Sequence, residues 1–149
     1  MMNQRPMVLI VDDDGMIRTL LQHLLEREGV ETRMARDGHE ALQLISERKP
    51  DLVLTDLVMP GMDGFCLIGT LRRQDHFKKM PILAISSMDG PDHADRALSL
   101  GANGFVLKTE LKKNMPGQVR RLLTGRASHG NEQPQTFASD GRAESKSAQ

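Results

Sequence analysis

Five consecutive apolar residues, Met7-Val8-Leu9-Ile10-Val11, run straight into three carboxylates, Asp12-Asp13-Asp14, and a second apolar run, Leu52-Val53-Leu54-Thr55, is closed by Asp56. In a parallel α/β fold both runs are buried strands, and their C-terminal ends lie side by side on one rim of the sheet. Carboxylates gathered on such a rim repel one another. They are tolerated there where a divalent cation neutralises them and where one of them has a chemical task.

Between the apolar runs the pattern changes to a helical period. Ile17, Leu20, Leu21, Leu24 and Leu25 form one stripe, stopped by Gly29. Glu31 to Ala35 is a strand poorer in apolar residues, which places it at a sheet edge. Asp37-Gly38 leads into a second helix with Ala41, Leu42 and Ile45 facing the sheet, and Pro50 lies beyond its end. After the strand Leu52 to Thr55, the segment Met59-Pro60-Gly61-Met62-Asp63-Gly64 reads as an irregular loop. A third helix is expected from about Phe65 to Arg73, with Cys66 as a small buried hydrophobe on it. Ile82 to Ser86 is a fourth strand, the segment from Pro91 to just before Gly101 a fourth helix, and Phe105 to Leu107 a fifth strand. Pro116-Gly117 interrupts the last helical pattern, so that helix is expected only from about Met115 to Leu123, with Asn114 near its cap.

Strands alternating with helices predict an α/β fold: a five-stranded parallel doubly wound sheet, flavodoxin-like, in the order 2-1-3-4-5 with helices on both faces. The switch point of that order falls between strands one and three, where Asp12, Asp13 and Asp56 meet. One domain is expected over residues 1–124, followed by a disordered polar tail over 125–149, whose Ser, Gly, Gln, Asn and mixed charge cannot offset the entropy of ordering. The 20 Lys and Arg residues balance the 20 Asp and Glu, so no global basic field exists to gather nucleic acid or anionic lipid. No apolar run approaches the roughly 20 residues that span a bilayer, and the N-terminal run is too short for a signal-peptide core. The single Cys66 cannot form an internal disulfide. The expected compartment is the cytoplasm.

Four stretches together, from Met7 to about Leu123, make the chain resemble the receiver domain of two-component response regulators. They are Val8 to Asp14, Leu54 to Gly64 (Leu-Thr-Asp-Leu-Val-Met-Pro-Gly-Met-Asp-Gly), Pro81 to Ser87, and Gly101 to Lys108 (Gly-Ala-Asn-Gly-Phe-Val-Leu-Lys). The resemblance implies that Asp56 accepts a phosphoryl group from a phosphohistidine on a partner kinase, a step in which a carboxylate is a competent nucleophile. It implies Mg²⁺ as cofactor, held by Asp13, Asp56 and the backbone carbonyl of Val58, with Asp12 acting through a metal-bound water. Lys108 would meet the phosphoryl oxygens, and Ser86 would donate its hydroxyl to the same group, a movement coupled to Phe105 on strand five. Asp14, which the pattern does not require, reads as a helix cap.

The same resemblance implies a phosphoacceptor rather than an enzyme, serving a sensor histidine kinase or a histidine phosphotransfer protein. Output would be by contact with a downstream protein through helix four, strand five and helix five, with Arg96, Phe105, Lys112, Arg120 and Arg121 on or near that face. Too few residues follow Leu123 for an output domain, so a stand-alone receiver is expected. Two alternatives remain: a phosphate shuttle or sink between histidine-containing proteins, and a scaffold that works without phosphorylation. Two departures stand out. Thr109, not Pro, follows Lys108, and Thr109-Glu110 leans toward receivers that serve chemotaxis-type kinases. Apolar Val58 and Met88 stand where the family flanks the water that attacks the phosphoryl group, so a long-lived phospho-Asp56 is expected. A haloacid-dehalogenase-type phosphatase would want a second Asp at Val58, and no G-x-G-x-x-G follows strand one for a dinucleotide.

Overall fold

The computed structural model of the protein describes residues 5–87 and 91–128. The elements are β1 (Met7–Val11), α1 (Gly15–Glu26), β2 (Glu31–Ala35), α2 (Gly38–Glu47), β3 (Leu52–Asp56), α3 (Gly64–Arg72), β4 (Ile82–Ser86), α4 (Pro91–Leu100), β5 (Gly104–Leu107) and α5 (Leu111–Ser128). The sheet is β2-β1-β3-β4-β5, and every pairing is parallel. This is the order expected from the sequence, with β2 at an edge.

Alternate residues of the central strands feed two cores. Leu9, Val11, Val53, Ile82 and Ala84 pack with Ala41 and Ile45 of α2, with Phe65, Ile68 and Leu71 of α3, and with Ala97 of α4. Val8, Ile10, Leu52, Leu54, Leu83 and Ile85 pack on the other face with Leu21 and Leu25 of α1 and with Leu111, Met115 and Val119 of α5. Strands buried on both faces explain the unbroken apolar runs. Each fully buried Leu, Ile or Val contributes about 1.5–3 kcal/mol of transfer free energy, which makes these runs the main drive for folding.

Register then builds the rim. Val11 lies opposite Thr55, which brings Asp12 beside Asp56, and Ser86 lies opposite Leu107, which brings Lys108 beside them. Side-chain caps start the first three helices: Asp14 for α1, Asp37 for α2 and Asp63 for α3.

Three expectations are corrected. α5 begins at Leu111 rather than Met115 and continues to Ser128, past the boundary expected at 124, with Pro116 inside it. The missing N–H of Pro116 forfeits the hydrogen bond to the Lys112 carbonyl. Burial of Leu111, Met115 and Val119 against the sheet holds the helix together regardless. Asn114 is not a cap; its amide donates to Glu110 Oε1 at 2.9 Å. Cys66 is exposed, because Phe65, Leu67, Ile68 and Leu71 take the inward face of α3. Beyond Ser128, the expected tail lies outside the described residues, and so do Met88 and Asp89.

Candidate functional site

The three consecutive carboxylates divide their work. Asp14 turns to its helix, accepting from the N–H groups of Met16 and Ile17 at 2.8 and 3.3 Å, as a cap should. Asp12 and Asp13 stay on the rim. Asp12 is wholly buried; Asp13 is exposed. The Asp12 loop is tied on both sides, for its Oδ1 accepts from the Asp14 N–H at 2.9 Å and its carbonyl accepts from Arg18 Nη1 at 2.6 Å.

Asp56, 4% exposed, ends β3 and accepts from the Leu57 N–H at 2.8 Å through Oδ1. Lys108 Nζ stands between the two buried carboxylates, 2.8 Å from Asp12 Oδ2 and 3.2 Å from Asp56 Oδ2. One ammonium cannot offset the burial of two carboxylates. Burial first, and then the charge of Asp12, push the Asp56 carboxyl up to about 6, against the opposing pull of Lys108 and the Leu57 N–H. Burial draws the Lys108 ammonium down, but Asp12 and Asp56 outweigh it and hold its pKa above the ordinary lysine value.

Asp12, Asp13 and Asp56 each bring a carboxylate oxygen within 4.8 Å of the others. Apart from its ion pair with Lys108, buried Asp12 Oδ2 has no hydrogen-bond partner among the described residues. An all-oxygen donor set that is under-supplied with positive charge suits a hard divalent cation such as Mg²⁺. The residues therefore fit the metal that the sequence implies. Val58, whose carbonyl was expected to join the set, is 58% exposed in the loop after β3.

Ser86 is buried at the end of β4, and its Oγ lies 3.4 Å from His93 Nδ1 on α4. His93 had no expected role. It shares no metal-ligand spacing with the other histidines, and nothing in the spacing of residues 86 and 93 reveals a contact that depends on how α4 packs. Phe105 is half-buried and, with Leu107, Lys113, Gly117, Gln118 and Arg121, lines a groove of about 540 Å³ between β5 and α5. Of the basic residues expected on this face, Arg121 lines the groove. Arg120 does not: it turns the other way, to Glu28 Oε1 at 2.7 Å. Arg96 rests its guanidinium 4.0 Å above the ring of Phe65.

The Response regulator receiver domain family model matches residues 8–120, a stretch holding every residue of this rim. The chain is a response regulator receiver. The receiver is 35% identical over 116 residues to the alkaline phosphatase synthesis transcriptional regulatory protein PhoP of Bacillus subtilis, covering 78% of this chain and 48% of that protein. It also resembles a structure described as a putative response regulator of Chloroflexus aurantiacus (30% identity, TM-score 0.78, 81% of this chain and 99% of that one). A chemotaxis response regulator of Vibrio cholerae matches at 30% identity with TM-score 0.74, over 80% of this receiver and 99% of that chain. The chain spans about half the length of the curated transcriptional regulators it matches. Among the described residues no helix is long and apolar enough to cross a membrane.

Proposed function

We propose that this receiver takes a phosphoryl group from a histidine kinase onto Asp56 and signals by binding a downstream protein. The observation that carries the reading is the Lys108 ammonium held between the Asp12 and Asp56 carboxylates at the end of β3, with Asp56 raised to about 6. A bare surface Asp has no need of such surroundings. A nucleophile that must meet a phosphoryl dianion does.

In the step proposed, Asp56 Oδ attacks phosphorus. The Oδ–P bond forms as the P–N bond to the donor histidine breaks, and the imidazole departs with the electron pair of that bond. Lys108 would follow the phosphoryl oxygens as a point charge, and Ser86 would donate its hydroxyl to one of them. Asp12, Asp13, Asp56 and the Val58 carbonyl would hold Mg²⁺, which would neutralise the gathered negative charge when bound. The Leu57 N–H fixes one oxygen of Asp56 and leaves the attacking one a defined place. Phosphorylation is expected to alter the face formed by α4, β5 and α5, where the groove beside Phe105 offers Lys113 and Arg121 to an acidic or amphipathic partner. The donor's class follows from the family; the Thr109-Glu110 pair favours a chemotaxis-type kinase. The apolar, exposed Val58 supports slow loss of the phosphoryl group.

The test is intact mass after incubation with acetyl phosphate, with and without Mg²⁺, on wild type and Asp56→Asn. A Mg²⁺-dependent gain of one phosphoryl group, absent in the variant, is the expected result. No gain in wild type, or an equal gain in Asp56→Asn, removes the reading. Decay of the same species measures its lifetime.

A further inference from the structure

Ser86 has a neighbour that the phosphoryl chemistry does not use. His93 Nδ1 lies 3.4 Å from Ser86 Oγ. The imidazole also packs against a neighbouring aromatic ring. Its ring meets Phe65 edge-on, with centroids 5.6 Å apart and planes at 87°. Arg96, one turn further along α4, covers the face of the same Phe65 ring at 4.0 Å. Phe65 is 5% exposed and follows Gly64, where any Cβ would collide with the backbone of Asp56. The ring that His93 packs against is therefore next in sequence to the residue that lies close against the strand end carrying Asp56.

We propose that His93 is a resting-state restraint on Ser86: its Nδ1 engages the Ser86 hydroxyl in the resting receiver and must give it up when that hydroxyl turns to the phosphoryl group. A neutral imidazole protonated at Nε2 presents Nδ1 as an acceptor to the hydroxyl. The contact is long for a hydrogen bond, so it restrains the hydroxyl without locking it. The proposal rests on the reading of Asp56 as phosphoacceptor and of Ser86 as donor to its phosphoryl oxygens. It adds a resting-state competitor for Ser86 on α4, the helix that borders the output face.

The test is a double-mutant cycle on the full chain, following the rate of phosphorylation by acetyl phosphate with Mg²⁺ in wild type, His93→Ala, Ser86→Ala and the double variant. His93→Ala is expected to speed phosphorylation about 3- to 10-fold, the scale of one modest hydrogen bond. In the Ser86→Ala background the same substitution is expected to change nothing. His93→Asn, which keeps an acceptor near Ser86, should return the rate toward wild type. This guards against an effect of lost packing alone. An unchanged rate in His93→Ala, or an equal change with and without Ser86, overturns the proposal. Failure of wild type to take up any phosphoryl group would instead overturn the reading of Asp56 on which it rests, so the two failures are told apart.

Discussion

A methyl group built on the Cα of Gly64 would lie 2.0 Å from the carbonyl oxygen of Asp56, and the Gly64 N–H donates to the Leu57 carbonyl at 3.0 Å. α3 thus starts in direct contact with the strand end that carries the central carboxylate. Glycine is needed here for the close approach, since any side chain would push against backbone that has nowhere to go. Gly64→Ala should lose about 1–3 kcal/mol of stability, the scale of overpacking at a tight site. It should also slow phosphorylation of Asp56. Urea unfolding alongside acetyl phosphate labelling checks both; a variant equal to wild type in each would contradict the close approach.

The raised pKa of Asp56 gives the metal-free protein a defined pH response. Its carboxyl titrates near 6 when folded and near the ordinary 3.8 when unfolded, so between these values the folded state binds more protons. Stability from this group is therefore present below about pH 4 and is lost as pH rises through about 6. Asp56→Asn removes the loss. At pH 7 in EDTA the variant should be more stable than wild type by about 1–3 kcal/mol. The gap should close toward pH 4, and added Mg²⁺ should stabilise wild type more than the variant. Thermal melts over that pH range, compared between the two proteins, isolate Asp56 from the other acids.

Lys108 is the cation that both buried carboxylates share. Lys108→Gln leaves Asp12 and Asp56 facing each other across the rim with their mutual repulsion uncompensated. Metal-free Lys108→Gln should unfold about 1–3 kcal/mol more easily at pH 7, and its Asp56 should titrate still higher. Phosphorylation should slow by roughly a hundredfold, as for loss of one preorganised charge contact. Titration of Asp56 by carbon-detected NMR, with phosphorylation rates on the same samples, would reveal either effect missing.

At the opposite rim, Arg72 donates to the Gly101 carbonyl at 2.9 Å, to the Phe77 carbonyl at 2.6 Å and to Asn103 Oδ1 at 2.9 Å. Asn103 Oδ1 also accepts from the Ile82 N–H at the start of β4. Arg72→Ala should cost about 2–4 kcal/mol by stripping these partners of their donor. Mg²⁺ affinity and the phosphorylation rate of the folded fraction should stay within about twofold of wild type. A large change in either, at unchanged stability, would refute this division of labour.

Much of this was legible in the sequence because the clustered charges sit at strand ends. Asp12, Asp56, Ser86 and Lys108 each close or follow an apolar run, and parallel register does the rest. What escaped notice depends on how helices seat. Pro116-Gly117 signals a break by local propensity, but burial of Leu111, Met115 and Val119 outweighs one lost hydrogen bond. Cys66 faces water because its neighbours on α3 are the better hydrophobes, a competition that composition alone does not decide. Arg120 finds Glu28, 92 residues away, instead of the face on which the sequence reading expected it. His93 could be found only once α4 was packed against Phe65.

The Arg72–Asn103 knot and the Asp12–Asp56–Lys108 cluster lie at opposite ends of the same strands. Inheritance can therefore edit them separately. A lineage that weakens the knot loses abundance, while each surviving molecule keeps the charge cluster intact. A lineage that alters the cluster changes phosphorylation first, with a gain or loss of stability that depends on which charge is removed. A stabilising change anywhere in the sheet should therefore restore the abundance lost at the knot, and should leave the loss of a cluster charge without remedy.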